Sequence, residues 1–148
     1  PPDKSALEVT EEERQAIYES KWQEGGSISY LFAYKDLLLN KSANDTASEF
    51  VRNKIRETVK DPVTAELLCP DNHPIGTKRL ILDSQYYEIF NQGNVDLVDV
   101  RSAPIQEITK NGIKTANNEV EAIADISGIS DLLRELTCLL LVIGKMDQ

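Results

Sequence analysis

Residues 73–91 read HPIGTKRLILDSQYYEIFN, and this stretch separates two halves of the chain with different sequence patterns. It begins with a loop of turn-forming residues that ends in two adjacent cations, Lys78 and Arg79. Asp83 follows at a position where its side chain could cap a short helix. The pattern changes near residue 70, which predicts a helical lobe before that point and an α/β lobe after it.

The first part of the chain has the signals of a capped helix. Thr10 precedes three glutamates, so its hydroxyl is expected to cap a helix while Glu13 reaches back to the start of that helix. Gly25 and Gly26 are expected to end it, because glycine adopts the left-handed conformation without steric cost. The apolar segment 28–39 is predicted to be helical as well.

Two more helices are predicted before residue 70. Residues 42–45 (SAND) look like a helix cap, and the apolar residues that follow recur at helical spacing as far as Val59. Asp61 and Pro62 predict the cap and the first residue of a short helix to about Leu68. Proline suits the first helical position, because the backbone N–H that it lacks would have no partner within the helix there.

The second half changes to the short apolar runs and turns of strands. Gly93 marks a turn after the short helix, and Asn111-Gly112 is a strong hairpin signal. The predicted strands are 95–100, 104–109, 113–115 and 120–126. The pattern of leucines from Leu132 to Ile143 predicts an amphipathic helix at the C-terminal end.

Composition narrows the classes of partner. The net charge is −9, from 25 acidic and 16 basic residues, which argues against nucleic-acid or anionic-membrane partners. The longest apolar run, 139–143, is too short to span a bilayer. Cys69 and Cys138 are interpreted as free, buried thiols in a reducing compartment, with a disulfide as the alternative. With no signal-peptide pattern, a cytoplasmic protein is expected.

Three stretches resemble, in the same order, flavin-dependent Baeyer–Villiger monooxygenases of the cyclohexanone-monooxygenase type. They are residues 19–26 (ESKWQEGG), 73–91 and 94–100 (NVDLVDV). The resemblance extends over residues 3 to 123. These enzymes are several times longer than 148 residues, so the resemblance implies an internal fragment of such an enzyme, which is expected to be inactive alone.

The resemblance assigns roles to the two cations. On its own, a Lys-Arg pair is typical of a solvated surface. In the family, the arginine that matches Arg79 lies beside the flavin, stabilises the negatively charged peroxyflavin and helps to position the nicotinamide. The lysine that matches Lys78 helps to select NADPH. Arg79 is therefore the candidate catalytic residue, and Lys78 and Arg79 are the candidate cofactor-binding residues.

Other residues have simpler interpretations. Asp83 is read as a helix cap, and Tyr86 and Tyr87 as packing residues with their hydroxyls at water. His73, the one histidine, has no second ligand for a metal, so no metal site is predicted. Trp22 is read as a packing residue.

The resemblance implies three parts: a helical lobe over 1–70, a partial NADP-domain-like (Rossmann-like) α/β segment over 71–130, and a divergent C-terminal helix over 131–148. It also implies FAD and NADPH as cofactors, with a ketone and O₂ as substrates of the full-length enzyme. The sequence contains neither of the glycine-rich GxGxxG loops that hold pyrophosphate, so the missing domains of the parent protein are expected partners. The alternatives are a non-catalytic remnant, a small nucleotide-binding module, or an interaction protein that dimerises through the C-terminal helix.

Overall fold

The computed structural model describes residues 3–25, 27–78, 85–109, 112–117, 119–121 and 140–144. The chain divides into two compact units, residues 1–86 and 87–148. The first unit consists of helices and turns, and the described strands all lie in the second. The predicted order of a helical part followed by a part with strands is therefore confirmed.

The first unit contains four helices. They are α1 (Glu11–Gln23), α2 (Ser27–Leu31), α3 (Lys41–Thr58) and α4 (Pro62–Leu68). Thr10 caps α1 as predicted, because its Oγ1 accepts a hydrogen bond from the Glu13 amide at 3.2 Å. The Glu13 carboxylate accepts from Lys4 Nζ at 2.8 Å, so the predicted reciprocal bond to the start of the helix is replaced by an ion pair.

Two predictions for the first unit are wrong in detail. The segment 28–39 is helical only as far as Leu31 and continues as turns, in which Ala33, Tyr34 and Leu37 are buried. Its apolar spacing therefore reflects burial of individual turn residues. The cap of α3 is Asn40, whose Oδ1 accepts from the Ser42 and Ala43 amides, and the cap does not lie within 42–45.

The start of α4 agrees with the prediction. Asp61 Oδ2 accepts from the Thr64 amide at 2.8 Å, and Pro62 is the first helical residue. A proline at this position has no amide hydrogen that the helix would leave unpaired. The break between α3 and α4 is thus encoded by two adjacent residues.

The core of the first unit is a cluster of aromatic rings between α1, α2 and α3. Tyr18 packs against Tyr30, Tyr34 and Phe50 at ring-centroid distances of 5.3 to 5.7 Å. The buried Tyr30 hydroxyl donates to the Ala47 carbonyl at 2.9 Å, so its polar atom is satisfied inside the core. Large aromatic rings of this kind bury much apolar area and favour tilted or edge-to-face contacts such as these.

The second unit begins with a 3₁₀-helix, Glu88–Asn91, and continues with strands. They are β1 (Val95–Asp99), β2 (Ile105–Thr109), β3 (Gly112–Thr115), β4 (Glu119–Glu121) and β5 (Leu140–Gly144). β1 pairs with β5, and β2, β3 and β4 form a three-stranded sheet in that order. All of these pairings are antiparallel.

Strand predictions in this unit hold for β1, β2 and β3, and β4 occupies the start of the predicted strand 120–126. Thr109 pairs with Gly112 across the predicted hairpin, whose Asn111 lies outside the described residues. Tyr87 precedes the 3₁₀-helix, and Asp83, the predicted cap, also lies outside them.

One prediction for the second unit is wrong. Leu140–Gly144 is a strand, not part of a C-terminal helix, because this apolar run pairs along the whole of β1, with Leu97 opposite Val142. Leucine and isoleucine at helical spacing serve equally well as a short strand when a partner strand is available. Within the described residues, no helix has the length and apolar character needed to cross a membrane.

Candidate functional site

The loop His73–Lys78 carries the first of the two predicted cofactor-binding cations. Lys78 is exposed at the last described position of this loop, while Arg79 lies outside the described residues. The loop belongs to the first unit and packs on its core through the partly buried Ile75. Its conformation therefore depends on contacts with the helical part of the chain.

A buried amide holds the middle of the loop. Asn44, 5% exposed in the first turns of α3, accepts from the Ile75 backbone N–H through Oδ1 at 3.0 Å. Its Nδ2 donates to the Ile75 carbonyl at 2.9 Å. One side chain thus satisfies both backbone groups of Ile75, as a neighbouring β-strand would.

The same amide reaches two further groups. Asn44 Nδ2 also donates to the Leu37 carbonyl at 2.8 Å, and its Oδ1 accepts from Ser48 Oγ at 3.4 Å. Both donor hydrogens and both acceptor lone pairs are therefore engaged. Asn44 joins α3, the turns before it and the loop His73–Lys78.

The sequence interpretation missed this role, because residues 42–45 were assigned to a helix cap. A usable signal was present: helical spacing places Asn44 beside Ala43 and Ala47 on the apolar side of α3. An asparagine on the buried face of a helix needs partners for its amide, and no residue in its own helix provides them all.

Gly76 lets the loop lie against the helical part. Its φ is +89°, a conformation that residues with a Cβ seldom adopt. A Cβ at this position would lie 2.7 Å from Leu38 Cδ2 and 3.3 Å from both Leu31 Cδ atoms. Glycine is favoured here mainly by the backbone conformation, because the nearby Leu38 side chain is half exposed and can move.

A tight turn closes the loop before Lys78. The Thr77 amide and the Thr77 hydroxyl both donate to the Pro74 carbonyl, at 3.3 and 2.7 Å. His73 contacts the Asn72 side chain through Nδ1. The structural role predicted for His73 stays a prediction, and within the described residues no group of three or more His, Cys, Asp and Glu side chains is arranged to hold a metal ion.

The packing residue Trp22 and the free thiol Cys69 are found as predicted. Trp22 is partly buried and meets Phe50 edge-on, with ring centroids 6.1 Å apart. Cys69 is a buried free thiol that points its Sγ at the Arg52 carbonyl. Burial raises the pKa of the Cys69 thiol, which keeps it in the unreactive protonated form. Cys138 lies outside the described residues.

A separate groove between α1 and α3 has a volume of about 400 Å³. The cation that lines it, Lys54, is bound to Glu19 at 2.7 Å and lies 5.5 Å from the centre of the Phe50 ring. The hydrogen bond from Glu19 raises the pKa of Lys54. Lys54 is thus engaged by its neighbours in this groove, and the loop His73–Lys78 remains the candidate site.

Comparisons with known proteins find relatives that are monooxygenases. No family model matches the chain. The chain is 48% identical over 114 residues to 2-oxo-Δ(3)-4,5,5-trimethylcyclopentenylacetyl-CoA monooxygenase of Pseudomonas putida, covering 77% of this chain and 21% of that protein. It is 44% identical over 115 residues to cyclohexanone 1,2-monooxygenase of Acinetobacter sp., covering 77% of this chain and 21% of that protein.

The fold has solved counterparts as well. The crystal structure of OTEMO in complex with FAD and NADP matches with a TM-score of 0.76 and 45% identity, over 81% of this chain and 22% of that chain. The present chain therefore spans about a fifth of the length of the relatives it matches.

Proposed function

Because the chain is similar in sequence and in fold to a segment of Baeyer–Villiger monooxygenases of the cyclohexanone-monooxygenase type, we propose that it is part of such an enzyme. The resemblance predicted from the sequence is thereby confirmed. The proposed reaction of the whole protein inserts one oxygen atom of O₂ into a ketone and gives an ester or a lactone. FAD and NADPH are its proposed cofactors.

The conformation of the loop His73–Lys78 connects this proposal with particular residues. It is fixed by Asn44 and Gly76 and ends in an exposed lysine. A lysine ammonium is a point charge suited to a phosphate, so Lys78 would bind the 2′-phosphate of NADPH. Arg79 follows directly and keeps its charge at any physiological pH.

Arg79 would hold negative charge beside the flavin and orient the nicotinamide. When bound, FAD would supply the oxygen-transfer chemistry and NADPH the reducing hydride. The contribution of this chain is binding, orientation and electrostatic stabilisation by the two adjacent cations. Both act on anionic groups, which agrees with a pair of cations in an otherwise acidic chain.

This chain would supply cations to the cofactors, but no loop for their pyrophosphate groups. The 148 residues include no GxGxxG loop, so the pyrophosphate groups of both cofactors would be held by other parts of the enzyme. In this proposal residues 1–70 form the helical lobe, 71–130 a returning part of the Rossmann-like NADP domain, and 131–148 a divergent end. A free, buried thiol at Cys69 suits an enzyme of the reducing cytoplasm.

The test uses the full-length protein encoded by the reading frame that contains this segment. With FAD, NADPH, O₂ and a cyclic ketone, product analysis should detect the ester or lactone. Arg79→Ala should abolish the product, and Lys78→Ala should raise the KM for NADPH without changing that for NADH. Lys21→Ala, which removes the same charge from the end of α1, is the control. A full-length protein that makes no oxygenated product from a panel of ketones contradicts the proposal.

A further inference from the structure

We propose that Asn44 is a positioning residue for the cofactor-binding cation Lys78, so that selectivity for NADPH over NADH depends on a buried amide distant from the cofactor. The inference rests on the proposed function of Lys78. It adds a residue of α3, more than 30 positions earlier in the chain, to the determinants of cofactor choice.

The first step is the hydrogen-bond geometry. Both backbone groups of Ile75 are hydrogen-bonded to the Asn44 side chain. Asn44 Nδ2 donates to the Ile75 carbonyl at 2.9 Å, and Oδ1 accepts from the Ile75 N–H at 3.0 Å. The side chain of Asn44 is itself fixed, because Nδ2 also donates to the Leu37 carbonyl and Oδ1 accepts from Ser48. A buried amide with every hydrogen-bonding position engaged has one allowed orientation, and it imposes that orientation on Ile75.

The second step is transmission along the loop. Gly76 is confined by Leu31 and Leu38, and Thr77 is bonded twice to the Pro74 carbonyl. Residues 74–77 therefore have little freedom between the Asn44 contact and Lys78. Lys78 is three residues beyond Ile75, so its Cα lies within about 11 Å of the Ile75 Cα even in a fully extended chain.

The third step is the consequence for the cofactor. NADPH differs from NADH by the 2′-phosphate, so a displaced Lys78 weakens the binding of NADPH and leaves that of NADH nearly unchanged. General destabilisation would instead reduce the amount of active enzyme and lower the rates with both cofactors alike. The ratio of kcat/KM for the two cofactors separates positioning from stability.

The variants are chosen in matched pairs. Asn44→Ala removes every contact, while Asn44→Asp keeps the shape and the acceptor for the Ile75 N–H but loses both donors. Asn53→Ala and Asn53→Asp make the same changes at an exposed asparagine of the same helix, where Oδ1 accepts from Arg56. If Asn44→Ala fails to fold, Asn44→Asp still tests the proposal.

The first measurement is amide hydrogen exchange on the 148-residue chain. Asn44→Ala should speed exchange at Ile75 by about tenfold or more, which corresponds to the loss of one buried hydrogen bond. Amides in the middle of α1 should keep their rates, and Asn44→Asp should also speed exchange at Ile75, because its carboxylate has no donor for the Leu37 and Ile75 carbonyls. Unchanged exchange at Ile75 in both Asn44 variants overturns the proposal.

The second measurement is cofactor selectivity of the full-length, FAD-loaded protein. The NADPH-to-NADH ratio of kcat/KM should fall about tenfold in Asn44→Ala and remain unchanged in both Asn53 variants. An equal loss with both cofactors overturns the positioning role. A wild-type protein with no preference for NADPH contradicts the role of Lys78, and the exchange at Ile75 then still decides whether Asn44 fixes the loop.

Discussion

The guanidinium of Arg56 and the carboxylate of Glu66 form a two-point ion pair that joins α3 to α4. Nε lies 2.6 Å from Glu66 Oε1, and a second guanidinium nitrogen lies 3.2 Å from Oε2. The third nitrogen contacts Glu49 at 2.7 Å, within α3. The planar fork of arginine suits this arrangement, which a lysine could not reproduce.

This ion pair predicts how stability responds to acid. The hydrogen bond from Arg56 lowers the pKa of Glu66 in the folded chain. Its stabilisation is therefore complete above the usual glutamate pKa of about 4.3 and is lost as the pH falls through the lowered value. Glu66→Gln should lower the urea midpoint slightly at pH 7, and the difference from wild type should shrink as the pH falls below about 4.3.

The effect should be small, because both side chains are partly exposed to solvent and salt screens them. Glu11→Gln in the first turn of α1 removes a carboxylate outside the pair and is the control for net charge. A Glu66→Gln variant whose deficit persists unchanged at pH 3 would show that the loss has another origin.

Replacement of Gly76 by alanine should destabilise the helical unit. The alanine would have to keep a φ of +89°, and its Cβ would lie 2.7 Å from Leu38 Cδ2. The Leu38 side chain is half exposed and can move, so the backbone strain dominates and we expect a loss of about 1–2 kcal/mol. Urea unfolding monitored by the fluorescence of Trp22, which lies in the same unit, measures it.

Gly93→Ala is the matched control, because nothing lies within 4 Å of its added Cβ. Its φ is not among the positive values found at Gly25, Gly76 and Gly112. Removing backbone freedom from the unfolded chain there should leave stability nearly unchanged. Equal losses in the two variants would refute the assigned difference between these glycines.

The parts of the fold that could be predicted are those encoded within a few residues. Thr10 caps α1 and Asp61 caps α4 through bonds to amides three positions ahead. A cap needs only its own sequence neighbours, and so does the periodicity of α3. The strands β1 and β2 follow from short apolar runs bounded by turn residues.

The parts that could not be predicted depend on distant partners. The role of Asn44 requires Ile75, 31 positions away, and the strand β5 requires β1, more than 40 positions earlier. The local sequence around Asn44 is compatible with a helix cap or with a buried helical residue, and that of β5 with a helix or a strand. Tertiary contacts decide between these alternatives. Lys78 and Arg79 are candidates through family resemblance alone, since adjacent cations are otherwise typical of any solvated surface.

The 148-residue chain should not catalyse the proposed reaction alone. With added FAD, NADPH and ketone, the purified chain should oxidise NADPH no faster than a blank without protein, because it has no GxGxxG loop to hold either pyrophosphate. Absorbance at 340 nm together with product analysis measures this. Ketone-dependent oxidation above the blank would refute the prediction and would show that a fifth of the relatives' length suffices.

Apolar side chains lie exposed in the turns between α2 and α3. Phe32 is 55% exposed and Leu39 88% exposed, and Leu38 between them packs partly over Gly76. The segment matched by this chain is about a fifth of the length of its relatives, so additional polypeptide is available in them to cover such a surface. Exposed apolar clusters of this kind mark contacts with other segments or copies.

We therefore expect the isolated 148-residue chain to self-associate through this surface. Sedimentation velocity over a range of concentrations should show a mass that rises with concentration, and Phe32→Ser with Leu39→Ser should return it to the monomer. Val63→Ser removes an equally exposed apolar side chain from the start of α4 and should leave self-association unchanged. A wild-type chain that stays monomeric at every concentration reached would show that these side chains tolerate water without a partner.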